Sequence, residues 1–211
     1  MTGDRPRIAV VDYGAGNLVS IEQALTAAGT DVVIAGAPDA FDGADGLVVP
    51  GVGAAAPAME RLARRGLVEP IRDWIAASRP FLGICLGLQL LFDRSDEDGA
   101  RTLGILAGRT VRLADAPSLP HIGWNQVQRR RDHLLFDGID DGADFYFVHS
   151  YAGTPDGDAS TAAVLAETTH GAPFVAAVAR DNVLGVQFHP ERSGRDGLRL
   201  IANFAAIVRA A

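Results

Sequence analysis

The chain has 211 residues and a formal net charge of -7, which comes from 26 acidic and 19 basic side chains. This acidic balance disfavours nucleic acid and anionic membranes as partners, because both are themselves negatively charged. Met1–Val11 lacks the pattern of a secretory leader, and no apolar run approaches the ~20 residues that span a bilayer, so we expect a soluble, cytoplasmic protein. Hydrophobic residues make up 48% of the chain, which predicts one core and a single domain over residues 1–211.

The first half of the chain alternates short apolar runs with segments long enough to form helices. The apolar runs are Ile8–Val11, Val32–Ala35, Gly46–Val49 and Phe81–Ile84. Between them, Leu18–Ala28 and Leu67–Ser78 carry apolar residues at helical spacing. Continuous apolar runs are typical of strands buried on both faces, and parallel strands need crossover helices, so this half predicts a parallel sheet flanked by helices.

Beyond about Gly104 the strand signals become shorter and follow one another more closely. The candidate strands are Arg109–Leu113, Asn125–Arg129, Asp144–Val148, Ala162–Glu167, Phe174–Arg180 and Val183–Phe188. Asp196–Ala210 closes the chain with apolar residues on one face of a predicted helix. Together the two halves predict an α/β fold of three layers, with a mainly parallel central sheet, flanking helices and a mixed or antiparallel extension.

The one cysteine of the chain stands between two glycines at the end of an apolar run. Gly83, Cys85 and Gly87 follow the pattern Gly-x-Cys-x-Gly, between a predicted strand and residues at helical spacing. Glycines on both sides allow the sharp turn of a nucleophile elbow, here with cysteine in place of serine. A small buried cysteine packed between two glycines explains these residues about equally well. The choice between the two depends on residues further along the chain.

A histidine and an acid lie two positions apart after the last predicted strand. His189 and Glu191 belong to the segment Gly185–Glu191, and their spacing places both side chains on the same side of an extended chain. His189 can accept the proton of a nucleophile, while Glu191 can fix the ring tautomer and stabilise the imidazolium. A histidine alone is more often structural, but this pair in a chain with a cysteine elbow favours a catalytic group of Cys85, His189 and Glu191.

Acyl transfer also needs hydrogen-bond donors for the tetrahedral oxyanion. The backbone N–H of Leu86, directly after the candidate nucleophile, is one such donor. The loop of Gly51, Val52 and Gly53 follows a predicted strand and can supply another, because glycines permit either orientation of a peptide. An ordinary turn explains this loop equally well when it is considered alone.

These motifs together resemble the class I, or triad, glutamine amidotransferases over nearly the whole chain. The elbow around Cys85, the glycine loop and the His189–Glu191 segment occur in the order and approximate spacing of that family. Finer motifs are similar to one branch, the glutaminase subunits of imidazole glycerol phosphate synthase. These finer motifs are Asp12–Leu18, Pro120–Asn125, Tyr146–Tyr151 and His189–Gly194.

The resemblance implies a role for each matching residue. Cys85 would form a γ-glutamyl thioester, with His189 as base and acid and Glu191 as its orienting partner. The resemblance also implies that Gly51, Val52, Gly53 and Leu86 form the oxyanion hole. Residues matching the glutamine-binding positions of the branch are Gln89, Glu97, Ser150 and Tyr151.

The resemblance further implies a heterodimer with a cyclase subunit, a (β/α)₈ barrel that uses the ammonia in histidine biosynthesis. The products would be imidazole glycerol phosphate and an aminoimidazole carboxamide ribonucleotide. Residues matching the face toward that barrel are Asn17, Trp124, Tyr146 and Arg192. A lysine is common at the last of these positions in the branch, whereas here Arg192 keeps the charge on a planar side chain.

Two alternatives to this function use the same residues. The chain can be the glutaminase of another synthase, such as that for pyridoxal phosphate, or a non-catalytic regulatory module with an inert Cys85. We expect neither cofactor nor metal. The loop at Gly14 and Gly16 matches a dinucleotide fingerprint only weakly, and the histidines lack metal-site spacing.

Overall fold

Two sheets, six α-helices and three short 3₁₀ helices make up the regular structure of residues 5–211, the part of the chain that the computed structural model describes. The strands are β1 Arg7–Val11, β2 Asp31–Ala35, β3 Gly46–Gly51, β4 Phe81–Cys85, β5 Arg94–Ser95, β6 Gly108–Arg112, β7 His121–Arg129, β8 Ala143–His149, β9 Tyr151–Pro155, β10 Val164–His170, β11 Ala172–Arg180 and β12 Val183–Val186. The helices are α1 Leu18–Ala27, α2 Ala55–Arg64, α3 Val68–Ala76, α4 Leu86–Gln89, α5 Gly157–Ala162 and α6 Gly194–Ala210.

The large sheet has nine strands in the order β2-β1-β3-β4-β12-β11-β10-β7-β8. Its first five strands are parallel, and the remaining pairs are antiparallel. A separate three-stranded sheet contains β5, β6 and β9. The predicted fold class, a mainly parallel sheet with a mixed extension and flanking helices, is confirmed.

The position of β12 is the feature of the topology that builds the site. This strand comes late in the chain, yet it lies parallel to β4, with Gly185 opposite Gly83 and Val186 opposite Ile84. On its other side, β4 pairs in parallel with β3, and Gly51 lies opposite Cys85. Because carboxyl ends of parallel strands meet at one edge, the residues after β3, β4 and β12 converge there.

Alternate residues of the parallel strands are buried on opposite faces of the large sheet. In β1, Ile8 and Val10 join one apolar cluster with residues of α1 and α6, while Ala9 and Val11 join a second cluster with residues of α2 and α3. A strand covered on both faces needs apolar residues at every position, which explains the continuous runs in the sequence. Among residues 5–211, no helix combines the length and apolar character needed to cross a bilayer.

Several elements differ from the sequence prediction. The helix after the elbow is a single turn, Leu86–Gln89. It does not continue, because the carbonyls of Leu90 and Leu91 accept hydrogen bonds from the N–H groups of Leu103 and Ile105, which lie outside the helix. Strand β7 starts at His121, before the predicted start, and β12 ends before the predicted Gln187 and Phe188. Helix α2 was not predicted individually. Its buried face consists of Ala55, Ala58 and Leu62, so only one large apolar side chain of that face marks the helix in the sequence.

Candidate active site

Cys85 lies in a strained turn between β4 and α4. Its backbone has φ 54° and ψ -107°, outside the conformations that side-chain-bearing residues normally adopt. The neighbouring glycines make this turn possible, because a Cβ at Gly87 would overlap the Val49 carbonyl and one at Gly83 would lie 2.5 Å from the Gly87 carbonyl. The predicted elbow is therefore present, and residues 83–87 are all buried.

His189 and Glu191 form a buried pair beside this turn. The Nδ1 of His189 lies 2.8 Å from Oε1 of Glu191, and their side chains are only 7% and 1% exposed. Burial alone would lower the pKa of His189, but Cys85 and Glu191 outweigh it and raise that pKa to about 10. Within residues 5–211, the Nε2 of His189 has no hydrogen-bond partner of regular geometry. The ring therefore keeps one nitrogen free for proton transfer.

Backbone hydrogen bonds of the segment between β12 and His189 position the imidazole ring beside the elbow. Although β12 ends at Val186, the N–H of Gln187 still donates to the Ala176 carbonyl. The N–H of His189 then donates to the Tyr146 carbonyl of β8. The chain thus turns away from the parallel sheet while His189 stays at its edge.

The glycine loop lies on the other side of the elbow, at the end of β3. Gly51 is buried against Tyr13, whose hydroxyl donates to the Pro50 carbonyl at 2.8 Å. Burial raises the pKa of Tyr13, which keeps this hydroxyl protonated. Beyond that anchor the loop is open, since Val52 is 47% exposed and Gly53 has φ 94° with free space around it.

A cavity of about 210 Å³ joins the elbow to β8 and β9. Seven of the sequence-predicted site residues line it: Gly53, Cys85, Leu86, Gln89, Glu97, Ser150 and Tyr151. Burial raises the pKa of Glu97, and Asp98 adds to this effect. The size suits a ligand of amino-acid dimensions, and Cys85 is part of the cavity wall.

Two polar side chains of this region were missed by the sequence analysis, Gln187 and His149. Gln187 is fully buried, and its Nε2 lies 3.6 Å from the sulfur of Cys85. The signal available in the sequence was a glutamine in an otherwise apolar strand, two positions before His189. His149 lines the cavity, whereas in the sequence the histidines other than His189 were considered only as metal ligands.

His149 belongs to a chain of hydrogen bonds that fixes its protonation. Its Nδ1 lies 2.9 Å from the Tyr151 carbonyl, which only accepts, so the proton is on Nδ1. Its Nε2 therefore accepts from Nδ1 of His121 at 3.3 Å, and Nε2 of His121 accepts from Asn125. Burial lowers the pKa of His149 to about 3 and that of His121 to about 4, so both rings are neutral.

Three of the four residues predicted to face a partner lie together. The rings of Trp124 and Tyr146 meet edge to face at 6.1 Å, and the Arg192 guanidinium lies 4.2 Å from the centre of the Tyr146 ring. Trp124 is 57% exposed, which is unusual for so large an apolar side chain. Asn17 is exposed at the start of α1, where its side chain accepts from the N–H of Ser20.

Residues 5–211 hold no group of three or more His, Cys, Asp or Glu side chains suited to a metal ion. The groups that the site does bring together are a nucleophile, a base with an orienting acid, and backbone donors beside a small cavity. That set is the one required for acyl transfer through a covalent intermediate.

Comparison with known proteins defines the class of protein. The family model for glutamine amidotransferase class-I matches residues 9–208. The chain belongs to this family. Solved structures agree on the fold: the structure titled PurLQS from Thermotoga maritima has a TM-score of 0.75 at 20% identity, covering 97% of this chain and 99% of that one. A second, titled glutamine amidotransferase, has a TM-score of 0.71 at 19% identity over 94% and 98% of the two chains.

Curated relatives identify the particular branch. The imidazole glycerol phosphate synthase subunit HisH of Symbiobacterium thermophilum is 50% identical over 203 residues, covering 96% of this chain and 94% of the relative. The subunit of the same name from Thermococcus kodakarensis is 50% identical over 204 residues, covering 93% and 98%. Within the class, the chain therefore belongs with the HisH subunits of this synthase.

Proposed function

We propose that this protein is the glutaminase subunit of imidazole glycerol phosphate synthase and hydrolyses L-glutamine to L-glutamate and ammonia. The observation that carries the proposal is the buried Glu191–His189 pair beside the strained Cys85, in a chain half identical to HisH subunits. A single glutamine amidotransferase domain of the cytoplasm, over residues 1–211, performs this reaction.

The first half of the reaction forms a thioester. The sulfur of Cys85 attacks the carboxamide carbon of glutamine, and the tetrahedral oxyanion is bound by backbone N–H groups of Leu86 and of the loop Gly51–Gly53. Protonated His189 gives its proton to the leaving nitrogen, so that ammonia departs and a γ-glutamyl thioester remains. The raised pKa of His189, about 10, supports a protonated ring at this step.

The second half releases glutamate. A water molecule loses its proton to His189 and attacks the thioester carbon, and the sulfur of Cys85 leaves as a thiolate. This restores the pair of thiolate and imidazolium, while Glu191 holds the ring through Nδ1 in both halves.

Residues around the cavity hold the rest of the substrate. The NH₂ group of Gln89 donates to the Tyr151 carbonyl and to the side-chain oxygen of Gln187. The side-chain oxygen of Gln89 is therefore left to bind the carboxamide of the substrate glutamine. Glu97 binds the α-amino end through its carboxylate. Ser150, between β8 and β9, and Tyr151, the first residue of β9, border the same space.

The ammonia passes to a cyclase subunit in a heterodimer. Trp124 is exposed, Tyr146 packs edge to face against it, and Arg192 lies over the Tyr146 ring. This group supports a protein interface on this face, because aromatic and arginine side chains are enriched at interface centres. Asn17 adds a polar contact at the start of α1. The cyclase uses the ammonia to form imidazole glycerol phosphate and an aminoimidazole carboxamide ribonucleotide in histidine biosynthesis.

Glutamate release from glutamine tests this function, measured with the purified chain alone and then with the cyclase subunit and its ribonucleotide substrate. We expect release that depends on the mixture and a stoichiometric amount of imidazole glycerol phosphate. Release stimulated only by a different synthase would contradict the assigned pathway. An inert chain in every mixture would contradict glutaminase activity altogether.

A further inference from the structure

Gln187 is a fully buried polar residue that the reaction above does not use. Its backbone N–H donates to the Ala176 carbonyl of β11, which fixes the residue directly after β12, the strand beside β4. Its side chain extends to Cys85, with Nε2 at 3.6 Å from the sulfur. This is hydrogen-bond distance for an N–H donor and the larger sulfur atom. A buried amide is normally hydrogen-bonded at both its NH₂ group and its oxygen. Here one partner is the sulfur of the nucleophile, so the hydrogen bond can affect the reactivity of that sulfur.

The neighbours of Gln187 determine which end of its amide faces the sulfur. The Tyr151 carbonyl can only accept, and Gln89 lies 2.7 Å from it, so Gln89 must point its NH₂ group there. That same NH₂ group lies 3.1 Å from the other end of the Gln187 amide, which must therefore be the carbonyl oxygen. The NH₂ group of Gln187 is left facing Cys85. The Tyr151 carbonyl thus sets the orientation of the Gln89 amide, and the Gln89 amide in turn sets that of Gln187.

We propose that Gln187 is a further catalytic residue, whose amide donates a hydrogen bond to the Cys85 thiolate. This inference rests on the proposed role of Cys85 as the nucleophile. Two groups then favour the thiolate: the charge of the His189 imidazolium and the hydrogen bond from the neutral amide of Gln187. A hydrogen bond to a charged acceptor is stronger than one between neutral groups, so the amide favours the thiolate over the thiol.

A glutamine suits this position better than a charged residue would. The amide cannot ionise, so it does not compete with His189 for the proton that must reach the leaving nitrogen. A carboxylate in the same buried place would repel the thiolate, and a lysine would add a second group that can exchange protons with it. The arrangement also gives Gln89 two functions, since one amide group orients Gln187 while its oxygen remains at the cavity.

The first test is the rate of alkylation of the full chain by iodoacetamide across a range of pH. Cys85 is the one cysteine, so the reaction reports on this sulfur alone. We expect Gln187→Met to slow alkylation about tenfold on the acid side of the pH profile and to move the midpoint of that profile up by about one pH unit. Gln128→Met, at an exposed position on β7, is the matched control and should match the unsubstituted protein.

The shape of the pH profile separates a donor to the sulfur from a packing role. Loss of the donor lowers the thiolate fraction, so the rates of Gln187→Met and the unsubstituted protein should converge once the thiol is ionised in both. A packing defect that restricts access would slow alkylation equally at every pH. An unshifted midpoint in a folded Gln187→Met protein would overturn the proposal.

A second measurement does not depend on any variant of Gln187 folding. In the unsubstituted protein labelled with ¹⁵N, the side-chain amide resonances of Gln187 should titrate with the same midpoint as alkylation and move again when Cys85 is alkylated. Resonances that shift neither with pH nor on alkylation of Cys85 would refute the hydrogen bond. Neither readout uses glutamine, so a chain without glutaminase activity can still pass or fail this test.

Discussion

The elbow around Cys85 and the glycine loop at Gly51–Gly53 stand side by side but differ in how firmly the structure holds them. Residues 83–87 are buried, and added side-chain atoms at Gly83 or Gly87 would collide with backbone. Past the anchor at Gly51, the loop exposes Val52, and Gly53 has open space around it. Backbone that is packed on all sides holds a nucleophile in one geometry, whereas an open loop allows peptides to change orientation. Half of the site is therefore rigid, and the other half is adjustable.

The largest effect should come from Cys85→Ala, which removes the nucleophile from the rigid half. We expect glutamate release to fall by at least about a thousandfold. The unfolding free energy should change by only about 1 kcal/mol, because one sulfur atom is lost from the core. Kinetic assays and chemical denaturation together measure the two effects. Retained turnover in this variant would remove Cys85 from the mechanism.

Gly87→Ala tests the rigidity of the elbow. Its new methyl group would overlap the Val49 carbonyl of β3, which cannot move without disturbing the sheet. We expect a loss of about 3 kcal/mol in unfolding free energy, or failure to fold. Denaturant titration gives the value. A variant as stable as the unsubstituted protein would show that the elbow is less confined than its packing indicates.

Gly53→Ala is the matched substitution in the adjustable half. Space is free for the methyl group, but φ 94° disfavours any side chain, so we expect a stability loss of about 1 kcal/mol. The glutaminase rate should fall about tenfold, since the loop loses orientations that the oxyanion requires. Equal losses of stability in Gly53→Ala and Gly87→Ala would abolish the distinction between the two halves.

The pH dependence of stability reports on the neutral histidines beside the rigid half. His149 has a folded pKa of about 3, below its unfolded value, so the unfolded chain binds protons first as pH falls. Its stabilising contribution is complete above about pH 6.5 and declines below that value, by about 1 kcal/mol per pH unit. His189 has the opposite shift and loses its contribution as pH rises toward its folded pKa of about 10.

Denaturant titrations between pH 4 and 8 measure the acid limb. We expect His149→Gln to weaken the decline in unfolding free energy below about pH 6.5, because one buried neutral ring no longer contributes. His133→Gln is a useful comparison, since His133 is only half-buried and should have a smaller effect on the slope. An unchanged slope in His149→Gln would show that other groups cause the acid sensitivity.

The smallest expected effect belongs to Arg192→Ala, which lies outside both halves. Removing the guanidinium that stacks on Tyr146 should reduce stimulation by the cyclase several-fold. Reaction of Cys85 with a glutamine analogue should hardly change in the isolated chain. The measurement compares the glutaminase rate in the presence of the cyclase with the rate at which the analogue labels Cys85. If Arg192→Ala lowers both rates equally, Arg192 has no interface role.

Sequence patterns predicted the parts of the fold and site that depend on neighbouring residues. Apolar runs gave the parallel strands, and the Gly-x-Cys-x-Gly pattern gave the strained turn at Cys85. Gln187 could not be assigned in this way, since its orientation depends on Tyr151 and Gln89 from distant parts of the chain. Helix α2 was not singled out because two of its three buried residues are alanines, which leave the segment without an apolar run.

The most direct test of the central claim is to quench the complex in acid during turnover with glutamine and analyse the protein by mass spectrometry. The account predicts a γ-glutamyl adduct on the peptide that contains Cys85, which forms before free glutamate and disappears as glutamine is exhausted. It also predicts that Cys85→Ala carries no adduct. Steady glutamate release without a covalent adduct on Cys85 would contradict the mechanism.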